Sequence, residues 1–287
     1  MISIKDTTET MLSSFDGDRF DLERWKAYID KAAPGVKELC LEDLGECLDA
    51  GLSWENDYLP VLHQVLIDTE GRNCTIEEFH RAADGLDERI NDVFGRTVDA
   101  DLILYLGLCS GAGWAVSLER RSAVLLGVEK ILELKWYDPD SMNALILHEL
   151  GHIYQEQYGV LRRETDNSAD EYLWQLFTEG IAMVFEQEVL GDPDFFHQSE
   201  DGWRDWCREN LRHIASSFRE DLPAMMLSDQ RYFGDWVRFE GRPDTGYYLG
   251  TVFVRHLLET ESFDDVIAWD TDRVKAAFEE FYERLQA

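Results

Sequence analysis

The stretch Ala144-Leu145-Ile146-Leu147-His148-Glu149-Leu150-Gly151-His152-Ile153-Tyr154 is an HExxH motif in an otherwise apolar run. On a helix, residues four apart lie one above the other on a single face. His148 and His152 therefore aim two imidazoles at one point, and Glu149 stands beside them. Paired imidazoles suit a tetrahedral zinc ion, and the neighbouring carboxylate can take a proton from water. A helix apolar on every side is a buried helix. Burying two histidines and a glutamate is unfavourable unless something satisfies them, and a metal would. The structural alternative is a helix that holds two core histidines by chance.

Working outward, the chain of 287 residues can bury a large core as one domain or two. Its 45% hydrophobic content, with 9 Trp, 11 Tyr and 15 Phe, marks a folded protein. Met1 to Leu12 has no apolar core, so no signal peptide is expected. No apolar run approaches the roughly 18 residues that span a bilayer. The cysteines at 40, 47, 74, 109 and 207 form no CxxC pair and are odd in number. They imply no disulfide framework and fit a reducing, cytoplasmic setting. With 59 acidic residues against 27 basic ones the net charge is −32. Nucleic acid and anionic membranes are thus poor partners, and a solvated acidic surface is the simplest account.

Residues 1–98 read as a mostly helical region. Asp21–Ala33 and Val36–Ala50 carry apolar residues at helical spacing and end at Pro34-Gly35 and Gly51. Tyr58–Ile67 reads as a third helix. Thr75-Ile76-Glu77-Glu78 has capping-box spacing and opens a fourth that reaches Phe94. His63 and His80 are lone and read as structural or exposed. Residues 99–287 change character. Leu102–Leu108, Trp114–Leu118 and Ala123–Val128 read as three strands joined by tight turns, largely antiparallel. The last of them is placed to pair with an extended peptide. Asp138 and Pro139 then start the motif helix, and Gly159 ends it. Gly151, unfavourable inside a helix, suggests close approach of another element. The expected fold is α+β, with a small mostly antiparallel sheet and a helical C-terminal part.

A catalytic zinc needs a third protein ligand. Glu171 and Glu179 lie 19 and 27 residues after His152. Ser168-Ala169-Asp170-Glu171 fits a capping box, which gives Glu171 an ordinary role at a helix start. Glu179 sits among Tyr172, Leu176 and Met183 on an apolar stripe, where a carboxylate needs a partner. The spacing favours Glu179. Gly180 and Ala182 beside it would let this helix come close to the motif helix.

His148-Glu149-Leu150-Gly151-His152 followed by Thr178-Glu179-Gly180-Ile181-Ala182 resembles the gluzincins, zinc metallopeptidases whose third ligand is a Glu on a second helix. Thr245-Gly246-Tyr247-Tyr248-Leu249-Gly250 is similar to the GYxxG segment of predicted Zn-dependent proteases, in which the three blocks come in this order. The resemblance covers residues 100 to 260 or so. It implies a zincin-like domain with His148, His152 and Glu179 as Zn2+ ligands and Glu149 as general base, acting on a peptide or protein substrate. A developing oxyanion needs a hydrogen-bond donor. Tyr247 is the first candidate, Tyr248 the second and His256 a weaker one. Asp170, Glu186 and Asp244 could orient the histidines. Trp203, Trp206 and Trp236 read as packing, and Thr271–Gln286 as a packing helix. Two rivals remain. Peptide deformylases pair HExxH with an upstream cysteine, here Cys109, although its surroundings do not match their motif. The other is a zinc-binding protein that acts through contacts alone.

Overall fold

The computed structural model describes residues 1–118, 121–163, 167–196, 202–226, 230–234 and 237–287. Trp236, expected to pack, lies outside them. The chain divides into two compact units, Met1–Leu150 and Gly151–Ala287. The change of character at residue 98 therefore falls inside the first.

The first unit opens with β1 (Ser3–Asp6), α1 (Thr8–Met11) and a small antiparallel ribbon of β2 (Phe15–Asp16) and β3 (Arg19–Phe20). Then come α2 (Leu22–Ala32), α3 (Val36–Asp49), α4 (Leu59–Ile67), α5 (Thr69–Ala83) and α6 (Leu86–Phe94). The strands β4 (Ala100–Tyr105), β5 (Gly113–Ser117) and β6 (Ser122–Gly127) precede α7 (Val128–Leu134) and α8 (Pro139–Tyr158). The helix α8 starts in this unit and ends in the next.

The main sheet runs in the order β1-β4-β6-β5. Both β1–β4 and β4–β6 are parallel, and only β5–β6 is antiparallel. The expectation of a mostly antiparallel sheet is thus corrected. The connection after β4, residues 106–112, carries β5 past the place beside β4 to the far edge, and β6 returns between them. The apolar run Leu102–Leu106, fully buried, suits a central strand covered on both faces. The N-terminal strand β1, too short and polar to stand out, completes the sheet from the opposite end of this unit's sequence. Two side chains of α2 tie it to the residue that follows β4. The Trp25 indole donates to the Leu106 carbonyl at 2.9 Å, and the Tyr28 hydroxyl accepts from the Leu106 N–H at 3.0 Å.

Local caps explain several helix limits. Asp21 accepts from the N–H groups of Glu23 and Arg24 and starts α2. Asp138 does the same for Asp140 and Ser141 at the start of α8. The Thr75 capping box does not form. The helix α5 begins six residues earlier, capped by Asp68, and the Thr75 hydroxyl donates back to the Gly71 carbonyl inside it. It also ends at Asp84, and Gly85, at φ 65°, separates it from α6.

The second unit holds the end of α8, then α9 (Ser168–Leu190), α10 (Trp203–Glu209), α11 (Leu211–Asp221), α12 (Thr245–Leu257), α13 (Phe263–Val266) and α14 (Thr271–Gln286). The central helix is α9, buried along most of its length. It crosses α12 where Gly180 meets Gly250. A Cβ added to Gly180 would stand 2.3 Å from the Gly250 carbonyl oxygen. Gly180 therefore serves the approach of α12, not of α8. Phe253, Phe278 and Phe281 pack α12 against α14, and Lys275 bridges to Asp170 at 2.6 Å. The Trp203 indole is fully buried and donates to the Pro243 carbonyl. Among the described residues, no helix is long and apolar enough to cross a membrane.

Candidate metal centre

The helix α8 places His148 and His152 one turn apart, as their spacing requires. Gly151 brings α9 to this turn. A Cβ there would meet the Ala182 Cα at 2.9 Å and the Phe185 Cβ at 3.2 Å. The close approach expected at Gly151 is therefore made by Ala182 of α9. Three residues before Ala182, on the same helix, stands Glu179.

The His152 Nε2 and Glu179 Oε2 atoms are 3.4 Å apart. One donor atom from each of His148, His152 and Glu179 lies within 4.8 Å of the others. Among the described residues this is the sole grouping of three or more His, Cys, Asp or Glu side chains with such spacing. His148 is buried, and His152 and Glu179 are nearly so. Bonds of about 2.1 Å at tetrahedral angles put zinc ligand atoms about 3.4 Å apart. The donor set fits: two imidazole nitrogens and one carboxylate oxygen, drawn from two packed helices, with the spacing of one pair already at that value.

Glu171 is exposed and takes no part. Its expected capping box is shifted by one residue, since Asn167 caps α9 by accepting from the Asp170 N–H at 3.0 Å. Glu149 points toward β5. A Cβ added to Gly113 would meet its Cγ at 2.7 Å and its Oε1 at 2.8 Å. In the sequence Gly113 falls in the turn before the expected strand Trp114–Leu118, and nothing in its local pattern marks this contact.

Tyr247 and Tyr248 lie in the first turn of α12. Tyr248 is buried between Phe196 and Trp203, and burial raises its hydroxyl pKa. Tyr247 is half-buried, edge-on to Phe233 at 5.3 Å. His256 is held by Arg284 at 3.1 Å and packs on Phe281. Of the proposed supporting acids, Asp170 bonds Lys275 and Asn167, and Asp244 accepts from the Gly234 N–H. Glu186 is fully buried in α9.

Cys109 stays out of the cluster. Its backbone N–H donates to Glu129 at 3.1 Å, and burial drives its thiol far above the usual range. Family models, curated proteins and solved structures return no match to this chain. The reading of the site rests on its geometry and donor chemistry.

Proposed function

We propose that this chain is a zinc-dependent peptidase of the gluzincin kind. The convergence of His148, His152 and Glu179, with Glu149 next in sequence to one of them, is the observation that carries the reading. These three residues would hold the ion. When bound, zinc supplies Lewis acidity, polarising a carbonyl and making water easier to deprotonate. Glu149, partly buried, takes a proton from the attacking water and returns it to the leaving amine nitrogen. Tyr247 is the side chain best suited to donate to a developing oxyanion, since Tyr248 is committed to its aromatic cluster. Among the described residues β5 pairs on one side only, with β6, so its outer edge can accept an extended substrate backbone. That role passes to β5 from β6, the central strand.

The test is a set of four purified proteins: wild type, Glu149→Gln, Glu179→Ala and Cys109→Ser. Bound zinc is measured by mass spectrometry, and cleavage is measured on a mixed peptide library. Glu149→Gln is expected to keep zinc and lose cleavage by on the order of 10²-fold or more. Glu179→Ala should lose both, and Cys109→Ser should retain both. Zinc lost in Cys109→Ser would replace Glu179 as ligand. Zinc held by a wild type that cuts nothing would favour a binding protein.

A further inference from the structure

A buried carboxylate, Glu129, lies outside the metal cluster at the start of α7. Its side chain is fully buried. It accepts from the Gly107 N–H at 2.9 Å and the Cys109 N–H at 3.1 Å, one on each oxygen. Burial, the largest influence, raises its carboxyl above the ordinary range, and these N–H groups oppose that shift. The segment it grips includes Cys109, which holds a left-handed φ of 63°, uncommon for a side-chain-bearing residue. The same segment is closed by the Gly127 N–H donating to the Ala112 carbonyl at 3.0 Å. The next residue is Gly113, the first of β5 and the one that meets Glu149.

We infer that Gly113 and Glu129 are positioning residues for Glu149: Glu129 clamps the 107–112 segment, and this sets the bare Cα of Gly113 against the Glu149 side chain. The inference rests on the reading of Glu149 as general base. The local packing decides which group would yield to a methyl at position 113. That methyl would meet Leu145 Cδ1 at 2.8 Å as well as Glu149. Leu145 is buried at 3% exposure, whereas Glu149 is only partly buried. The Glu149 side chain must swing away, and the Leu145 methyl must also give by a few tenths of an ångström.

Gly113→Ala is therefore expected to bind zinc as wild type does and to keep its cobalt-substituted absorption spectrum. Its kcat should fall on the order of 10²-fold with KM little changed, the effect of displacing a catalytic group by about an ångström. In a Glu149→Gln background the same substitution should have no further effect on kcat. Glu129→Gln supplies the independent arm. Its amide can accept one N–H and must turn an NH2 toward the other, so kcat should fall less steeply while zinc is retained. Full kcat in a zinc-loaded Gly113→Ala or Glu129→Gln protein would overturn the inference, as would an additive loss in the Glu149→Gln background. A zinc-loaded wild type that cuts nothing removes the general-base reading and the positioning role with it. A wild type that cuts as fast as both variants removes the positioning role alone.

Discussion

Single atoms decide the approach of α9 to the HExxH turn. Gly151 has no Cβ, and the space one would fill is occupied by the backbone of Ala182. In an exposed helix, Gly→Ala stabilises by about 1 kcal/mol through helix propensity. Here the added methyl would press on backbone that cannot rotate aside, and overpacking of this kind destabilises by about 1–3 kcal/mol. The second effect wins. Gly151→Ala should unfold at lower urea than wild type, and on the proposed zinc-binding reading its zinc affinity should drop, because His152 and Glu179 flank the displaced contact. Equilibrium urea melts and a competitive zinc titration read both effects. A variant more stable than wild type would refute the close approach. The gathering of His148, His152 and Glu179 was legible at this scale, since HExxH spacing and an isolated glutamate on an apolar stripe are local facts. Gly113 was not, because its contact with Glu149 depends on where β5 lands in the sheet.

At the scale of elements, the helix starts at Asp21, Asp138 and Thr271 were legible, and Asp21, Asp138 and Asp270 hold the caps there. They were misread where two candidates competed. Thr75 and Ser168 each head an S/T-x-x-E pattern, but Asp68 and Asn167 hold the caps, and short-range spacing cannot rank them. Sheet order was hidden for a related reason: pairing partners are set by crossovers, and a tight turn does not say on which side a strand lands. Asp138 allows a test of capping on the site helix itself. Burial acts to raise its carboxyl, but hydrogen bonds from the Ser141 side chain and from the N–H groups of Ser141 and Asp140 hold it below the ordinary 3.8. A depressed carboxyl contributes stability above its unfolded pKa and loses it as pH falls through the folded value. Asp138→Ala should therefore be less stable by about 1 kcal/mol at pH 7. The gap to wild type should narrow below pH 3.8, whereas Asp138→Asn should stay close to wild type at neutral pH. Urea melts across pH 2–7 follow the gap, and a difference that widens in acid would contradict the assigned cap.

For the whole molecule, charge is the dominant long-range term. The chain carries 59 acidic residues and 27 basic ones. Even if every Lys and Arg were paired, 32 carboxylates would remain without a cationic partner. Many of the cations are already engaged, among them Arg121 with Asp99 and Asp101, Arg219 with Glu279, and Arg284 with Glu259. Added salt acts on both populations in opposite directions. It weakens exposed ion pairs, each worth about 0–1 kcal/mol, and it screens repulsion among the surplus carboxylates over a Debye length of about 10 Å at 0.1 M. Because the uncompensated charges outnumber all the cations available for pairing, relief of repulsion should win. Raising NaCl from low to physiological concentration is expected to raise Tm. A gain of about 1 kcal/mol would correspond to roughly 2–4 °C for a chain of this size. Scanning calorimetry on protein treated with chelator separates the effect from that of any bound metal, and a Tm that falls with salt would mean that the ion pairs, not the surplus carboxylates, govern the stability of this acidic fold.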